Sequence, residues 1–186
     1  MNRLCSLSSQ LHPHPQRDFS KYFKFYSTED ILVRELEEQD YHNGFFTVLG
    51  QLTKIVGVSF EDFSRVLRSI KSSPNLHLII VAVERKTNKV VGAGTIIIEK
   101  KILRNLGKIG HIEDIVVDTN VRGKNLGKII VECLTRIGNE EEKVYKVILD
   151  CSDKNVGFYN KLNYNLVQND MGIYNETFTQ KYSRII

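Results

Sequence analysis

The chain is poor in the residues that cross-link or punctuate a fold. Three cysteines in 186 residues, Cys5, Cys133 and Cys151, are an odd number with no CxxC or CxxxH spacing. That argues against a disulfide framework and a zinc site, and for a reducing compartment. Of three prolines, Pro13 and Pro15 lie close to the N-terminus and only Pro74 lies further along. No apolar run approaches the roughly 18 to 20 residues that span a bilayer, so no transmembrane segment is expected. The N-terminus also lacks the apolar core, about 7–15 residues, of a secretory signal, which makes a cytoplasmic location the expectation. The net charge of +4 comes without a dense Lys/Arg stripe. Nucleic acid is therefore not expected as a partner, whereas a small anionic ligand is compatible.

What is present reads as one globular domain, long enough to bury roughly 70% of the surface its unfolded chain exposes. Residues 1–28 show no steady period and read as a flexible N-terminal extension, with "YFKFY" (22–26) lying on the surface of a domain spanning 29–186. His12 and His14 in "HPHP" read as a solvated tail rather than a metal pair, and no metal is expected. "ILVREL" (31–36) predicts a strand, and Asp40 to about Thr53 a helix with Phe45, Phe46, Leu49 and Leu52 on one face. Ser59 with Asp62 predicts a capped helix whose Phe63, Val66, Leu67 and Ile70 form an apolar stripe, ended by Pro74. "LHLIIVAVE" and "KVVGAGTIIIE" predict a hairpin across "RKTNK", and "KIGHIEDIVV" a further strand after the loop "KKILRNLG". A helix follows with Leu126, Ile129, Ile130, Cys133, Leu134 and Ile137 at the 3.6-residue period. Then come a strand "YKVILDC", a short helix "NVGFYNKL", and closing strands in "NYNLVQ" and "MGIYNETF". This order predicts an α/β (α+β) mixed sheet with helices on both faces.

"VRGKNLGKII" (121–130) places two glycines and three basic residues between a strand and a helix. It is not a P-loop, because the second glycine comes one residue early and Ile129 stands where a hydroxyl is required. No GxGxxG occurs either. The shared physics remains: a turn of small residues aims free N–H groups of a helix N-terminus at one point. Gly123 and Gly127 permit close backbone approach to an anion, Asn125 tolerates φ > 0, and Arg122, Lys124 and Lys128 attract negative charge. A plain β–α turn with solvated charges is the alternative.

Arg122-Gly123-x-Asn125-x-Gly127 after a strand resembles the R/Q-x-x-G-x-G/A loop of the GNAT acyltransferase superfamily, with Asn125 in place of a glycine. "NVGFYNKLNY" (155–164) resembles its second signature, with Asn163-Tyr164 in place of Gly-Phe. Taken closer, "VVGAGTIIIEKK", "GHIEDIVV", "RGKNLGK", "YKVILDC" and "NVGFY" together resemble the glucosamine-6-phosphate N-acetyltransferases, over about residues 30 to 174. The resemblance implies the GNAT fold, acetyl-CoA as co-substrate, glucosamine 6-phosphate as the small-molecule acceptor, a place in UDP-N-acetylglucosamine biosynthesis, and a homodimer whose sugar pocket draws on both subunits.

It also implies residue roles. Cofactor contacts fall on Ile115, Val116, Val117, Arg122, Gly123, Lys124, Asn125, Leu126, Gly127, Lys128, Asn155, Tyr159, Asn160 and Lys161. Tyr159 is placed beside the CoA sulfur as hydrogen-bond or proton donor. Asp150 faces the substrate amine, and Glu113, Asp114 and Ile115 meet the sugar. Further acceptor contacts are Thr53, Lys101, Ile102, Leu103, Arg104, Tyr145 and Lys146. Tyr174 stands where the family commonly has a phosphate-contacting arginine. The residues themselves leave alternatives. Asp150 at the end of an apolar strand is a turn former or a site group. Glu113 and Asp114, adjacent in a strand, point to opposite faces and call for a site or an edge. No cysteine has a histidine partner, which agrees with direct transfer. Another amine acceptor and a non-catalytic acyl-CoA-binding module are the competing functional readings; Lys101, Arg104 and Lys146 favour an anionic acceptor.

Overall fold

Runs of β-branched residues build the sheet. Ile31–Glu35 (β1), His77–Glu84 (β2), Lys89–Lys100 (β3), Lys108–Val117 (β4) and Lys146–Leu149 (β5) lie in the order β1-β2-β3-β4-β5. The computed structural model describes residues 17–73, 75–121, 123–167, 169 and 171–173. β1 to β4 are antiparallel to their neighbours and β5 is parallel to β4. The polar turn 85–88 closes the β2–β3 hairpin, with Asn88 at φ 55° as its left-handed residue. Between β3 and β4 sits a single turn, Leu103–Leu106 (α4), in which Arg104, Asn105 and Leu106 all carry positive φ.

One sheet face is covered along its length. Leu78, Ile80, Ala82, Ile96, Ile98 and Ile112 meet Ile130, Leu134 and Ile137 of the helix Leu126–Glu140 (α5). A Cβ on Gly94 would stand 2.5 Å from Ile115 Cδ1 and 2.6 Å from Ile130 Cγ2, so a glycine is what lets α5 settle on β3 here. The helix Ser20–Tyr26 (α1) packs on the same side, with Phe19 and Tyr22 buried in the cluster. Tyr22 Oη lies 2.7 Å from Glu141 Oε1 and 3.0 Å from Glu140 Oε2, at the C-terminal end of α5. This corrects the expectation of a flexible stretch up to residue 28. From Phe19 the aromatics at 19, 22 and 23 follow an i, i+3, i+4 spacing that buries one side of a helix. His12 and His14 lie outside the described residues.

The other face is covered only in part. Val81, Val83, Val90, Ala93 and Val116 pack under Phe45, Val48, Phe63 and Leu67 of the helices Phe45–Leu49 (α2) and Phe60–Lys71 (α3). Ser59 caps α3 as expected, its Oγ accepting the Asp62 N–H at 3.1 Å and donating to Asp62 Oδ2 at 2.8 Å. Val66 departs from the expected stripe: it is half-exposed and lines a cavity of about 480 Å³ with Val56 and Val58.

Two further expectations are corrected. Asp40 to Thr53 is not one helix but a 3-10 turn, Glu38–Tyr41, then Gly44 at φ 93°, then α2. Asp40 is fully buried and committed elsewhere, taking both guanidinium nitrogens of Arg34 at 2.7 Å and the Glu37 N–H at 2.9 Å. Among the described residues, 163–167 and 171–173 in the region of the expected closing strands carry no sheet pairing, and most of "MGIYNETF" lies outside the described residues. Chain direction there is set by the end of the helix Asp153–Asn160 (α6), described below. Pro74 and residues from Tyr174 onward lie outside the described residues. No helix among the described residues is long and apolar enough to cross a membrane.

Candidate active site

The turn before α5 has the shape its composition implies. Gly123 lies at φ 89° and Asn125, the residue preceding the helix, at φ 58°. The N–H groups of Leu126, Gly127 and Lys128 precede the first intrahelical donor, Ile129, whose N–H bonds the Asn125 carbonyl at 3.0 Å. Beside left-handed residues they form a concave array of donors suited to a phosphate. Asn125 replaces a glycine at modest cost, because asparagine enters this conformation more readily than other side chains. Lys124 and Lys128 are exposed around the turn, and Arg122 lies outside the described residues. A Cβ on Gly127 would meet the Phe158 ring at 3.4 Å, so α6 sits directly against this turn.

Beside it the sheet opens. β4 pairs with β5 only from Ile109 to Ile112, against Lys146 to Leu149, yet runs on to Val117 with β3 on one side. The backbone of Ile115, Val116 and Val117 borders that opening. At its start lies a β-bulge. Thr95 opposes Glu113 and Ala93 opposes Val116, so Asp114 and Ile115 together face Gly94, with Asp114 at φ 55°. The bulge accounts for the adjacent charges: both Glu113 and Asp114 reach solvent, which strict alternation forbids.

Register identifies the face these residues share. His77, Ile97, His111 and Ile148 lie in one row across β2 to β5, with Ile79, Thr95 and Glu113 in the next. Glu99, Ile109 and Lys146 form the row on the other side. Past Ile79 and Thr95 the cover of α2 and α3 gives out, and half-buried polar side chains take over. Lys101 ion-pairs with Glu99, whose second oxygen is 3.0 Å from His111 Nε2. Asp114 faces His77, whose pKa is pushed down by burial and partly restored by that carboxylate. The hairpin tip joins this end of the face: a Cβ on Gly107 would lie 3.0 Å from Tyr145 Cδ1 and 3.4 Å from Arg104 Cβ. The chain at Lys101, whose N–H bonds the Gly107 carbonyl, thus meets Arg104 and Tyr145 at Gly107, with Lys146 next to Tyr145 at the start of β5. Ile102 and Leu103 are exposed on the same tip, and Asp150 is exposed just past β5.

Tyr159 lies at the rim of the covered core. It is 9% exposed, edge-on to Tyr164 with ring centroids 6.1 Å apart, and lines an open cavity of about 580 Å³ with Cys151, Asn160 and Lys146. Burial first, then Cys151 and Tyr164, raises its pKa, so the hydroxyl holds its proton at neutral pH. The chain beyond α6 leaves through Asn163 at φ 65°, with Tyr164 N–H on the Tyr159 carbonyl and Asn163 N–H on the Asn160 carbonyl, both at 3.1 Å. This is the Schellman ending, in which asparagine is the common substitute for glycine. No hydrogen bond or ion pair among the described residues links Thr53, Asn155 or Lys161 to the charged face, and all three are exposed.

Glu99, His111 and His77 escaped the motif reading. Their signal is the strand period of two, which sets Glu99 two residues before Lys101 and His111 two before Glu113.

The Acetyltransferase (GNAT) family model matches residues 56–164. Glucosamine 6-phosphate N-acetyltransferase 1 of Dictyostelium discoideum is 43% identical over 78% of this chain and 92% of its own length. The Arabidopsis thaliana glucosamine 6-phosphate N-acetyltransferase is 47% identical over 72% of this chain and 89% of its own. The crystal structure of glucosamine-6-phosphate N-acetyltransferase from Arabidopsis thaliana superposes with a TM-score of 0.75 at 44% identity, covering 78% of this chain and 99% of that one. The bulged β4, its opening beside β5 and the glycine turn before α5 are therefore those of a GNAT acetyltransferase, and the chain belongs to that family, among the glucosamine 6-phosphate N-acetyltransferases.

Proposed function

We propose that the protein transfers the acetyl group of acetyl-CoA to the amine of D-glucosamine 6-phosphate, giving N-acetyl-D-glucosamine 6-phosphate and CoA. One observation carries this reading. The uncovered half of the sheet face has cations at one end (Lys101, Arg104, Lys146) and carboxylates at the other (Glu113, Asp114, Asp150). From Lys146 to Asp150 is four residues of extended chain, about 13 Å. That matches a hexose with a phosphate on C6 and an amine on C2, plus one hydrogen bond at each end.

The amides of residues 123–128, with Arg122, Lys124 and Lys128, hold the diphosphate of the coenzyme, which supplies the acyl group as an activated thioester. Asn155, Asn160 and Lys161 extend the grip along α6. Asp150 orients the amine and, with Glu113, accepts its proton. An amide among Ile115, Val116 and Val117 donates to the carbonyl oxygen as charge develops there. Tyr159 holds at Oη the proton needed by the departing sulfur. Lys101, Arg104, Tyr145 and Lys146, with Thr53, Ile102 and Leu103 around them, receive the sugar phosphate. The enzyme acts as a cytoplasmic homodimer, both subunits lining the sugar pocket, and feeds UDP-N-acetylglucosamine synthesis.

Incubating the protein with acetyl-CoA and a panel of amines, with acetylated products read by mass spectrometry, tests the assignment. Glucosamine 6-phosphate is expected to be the preferred acceptor over glucosamine, a polyamine and a lysine peptide. Turnover of one of those without turnover of the phosphosugar would overturn it. Lys146→Ala should raise KM for the phosphosugar about ten- to a hundredfold, the equivalent of one charged hydrogen bond at about 1.5–3 kcal/mol. The KM for glucosamine should not move.

A further inference from the structure

Lysine is a poor fixed ligand. Its ammonium rides on a flexible four-carbon stem, so ordering it costs rotamer entropy that a rigid guanidinium fork loses less of. Lys101 is nevertheless held. Its backbone N–H donates to the Gly107 carbonyl at 2.8 Å, closing the base of the hairpin tip. Its ammonium pairs with Glu99, two residues back on the same strand. Glu99 is held in turn across the sheet, its other oxygen 3.0 Å from His111 Nε2. All three side chains are partly shielded, at 33%, 43% and 31% exposed for Lys101, Glu99 and His111. Hydrogen bonding to Lys101 first, then to His111, favours the ionised carboxyl and holds the Glu99 pKa below its usual value.

An ammonium has three donors. With one committed to Glu99, two remain for oxygens of a bound anion, directed by a side chain that no longer searches its rotamers. The row Glu99–Ile109–Lys146 puts Lys146 two strands away on the same face, and Arg104 stands on the tip above. A carboxylate among cations would on charge alone repel an anionic ligand. Its double engagement by Lys101 and His111 gives it a different use.

We infer that Glu99, clamped between His111 and Lys101, is a positioning residue that fixes the Lys101 ammonium for the phosphate of the acceptor sugar. This rests on the phosphosugar reading above and adds to it a specificity element that touches no reacting atom. Removing the carboxylate then frees Lys101 and weakens phosphate recognition, although it makes the site more positive.

The test is steady-state kinetics of the full chain with glucosamine 6-phosphate and with glucosamine. Variants are Glu99→Ala, Glu99→Gln, Lys101→Ala and the double variant Glu99→Ala/Lys101→Ala. Glu99→Ala should raise the phosphosugar KM about tenfold, the scale of one charged hydrogen bond. Its kcat should stay within about twofold and its glucosamine KM should not change. Glu99→Gln, which keeps the acceptor oxygen for Lys101, should recover most of the loss. The double variant should be no worse than Lys101→Ala alone, because the two act as one unit. The inference is overturned if Glu99→Ala leaves or lowers the phosphosugar KM, raises both KM values alike, or adds its full effect to that of Lys101→Ala. Calorimetric binding of glucosamine 6-phosphate separates this from the parent reading. A wild type that binds the phosphosugar without acetylating it sinks the assigned reaction, and weaker binding by Glu99→Ala would still uphold the clamp. A wild type that does not bind it sinks both.

Discussion

The two faces of the sheet are built for different ends. One is sealed from β1 to β4 by α1 and α5, with Ile80, Ile96, Ile130, Leu134 and Ile137 excluded from solvent. The other is sealed by α2 and α3 over Val81, Val83 and Ala93, then left to His77, His111, Glu99, Glu113 and Lys146. The same strands serve both, because alternate residues point to opposite sides. The larger core cluster therefore lies on one side of the central strands and the proposed chemistry on the uncovered part of the other, and mutations in the two should fail in different assays.

Tyr159 tests where the two meet, since its ring belongs to the sealed cluster and its hydroxyl is the one proposed above to act in the reaction. Tyr159→Phe keeps the ring. It should lower kcat by about 10²- to 10⁴-fold, the usual worth of a positioned proton donor. The Kd for acetyl-CoA and the Tm should stay close to wild type. Unchanged turnover in a product assay would remove the hydroxyl from the mechanism and leave Tyr159 as a core residue only.

Leu134, fully buried on the sheet-facing side of α5, is the opposite case. Leu134→Ala should cost about 2–5 kcal/mol in urea unfolding, the transfer loss plus the cavity left behind. The kcat/KM per folded molecule, measured well below the new midpoint, should be unaffected. A large loss of kcat/KM in protein that remains folded would show that the sealed face reaches into the site.

The sealed face was the more legible of the two. Leu126, Ile130, Cys133, Leu134 and Ile137 announce α5 by their period, whereas on the other face only α3 is announced as clearly, by Ser59 with Asp62. The Arg34–Asp40 pair was hidden, because a carboxylate ahead of an apolar run reads as a helix start until its partner on β1 is known. The docking of α1 was hidden for a similar reason: seven residues carry too little period to outweigh their setting. On the open face, the family resemblance named the residues at the charged ends but gave no sign of the Glu99–His111 contact. Glu99 and His111 are twelve residues apart and meet only through the β3–β4 register, as does the bulge at Asp114. The two departures from the glycine signatures turned out to be one substitution made twice. Asn125 and Asn163 both stand at left-handed φ, 58° and 65°, where asparagine is the side chain that comes nearest to glycine.

The smallest effect is expected where α1 closes the sealed face. Burial first, then hydrogen bonds to Glu141 and Glu140, raises the Tyr22 pKa from 10.0 to about 12. In the unfolded chain the phenol ionises near its ordinary value, while in the folded protein it keeps its proton up to the higher one. Between those two pH values the unfolded state binds fewer protons than the native state, so stability falls as pH rises. Below the lower value the contribution is fully present and flat. Urea midpoints followed through this alkaline window should therefore decline more steeply for wild type than for Tyr22→Phe. At neutral pH the variant should be less stable by about 1 kcal/mol, one hydrogen bond's worth. Tyr26, Tyr159 and Tyr164 also have raised pKa values and slope both curves alike, so the difference between the two proteins isolates Tyr22. Parallel curves would mean that its hydroxyl is solvated in solution and that α1 is held without it, by its packed aromatics and the Lys21–Glu141 ion pair.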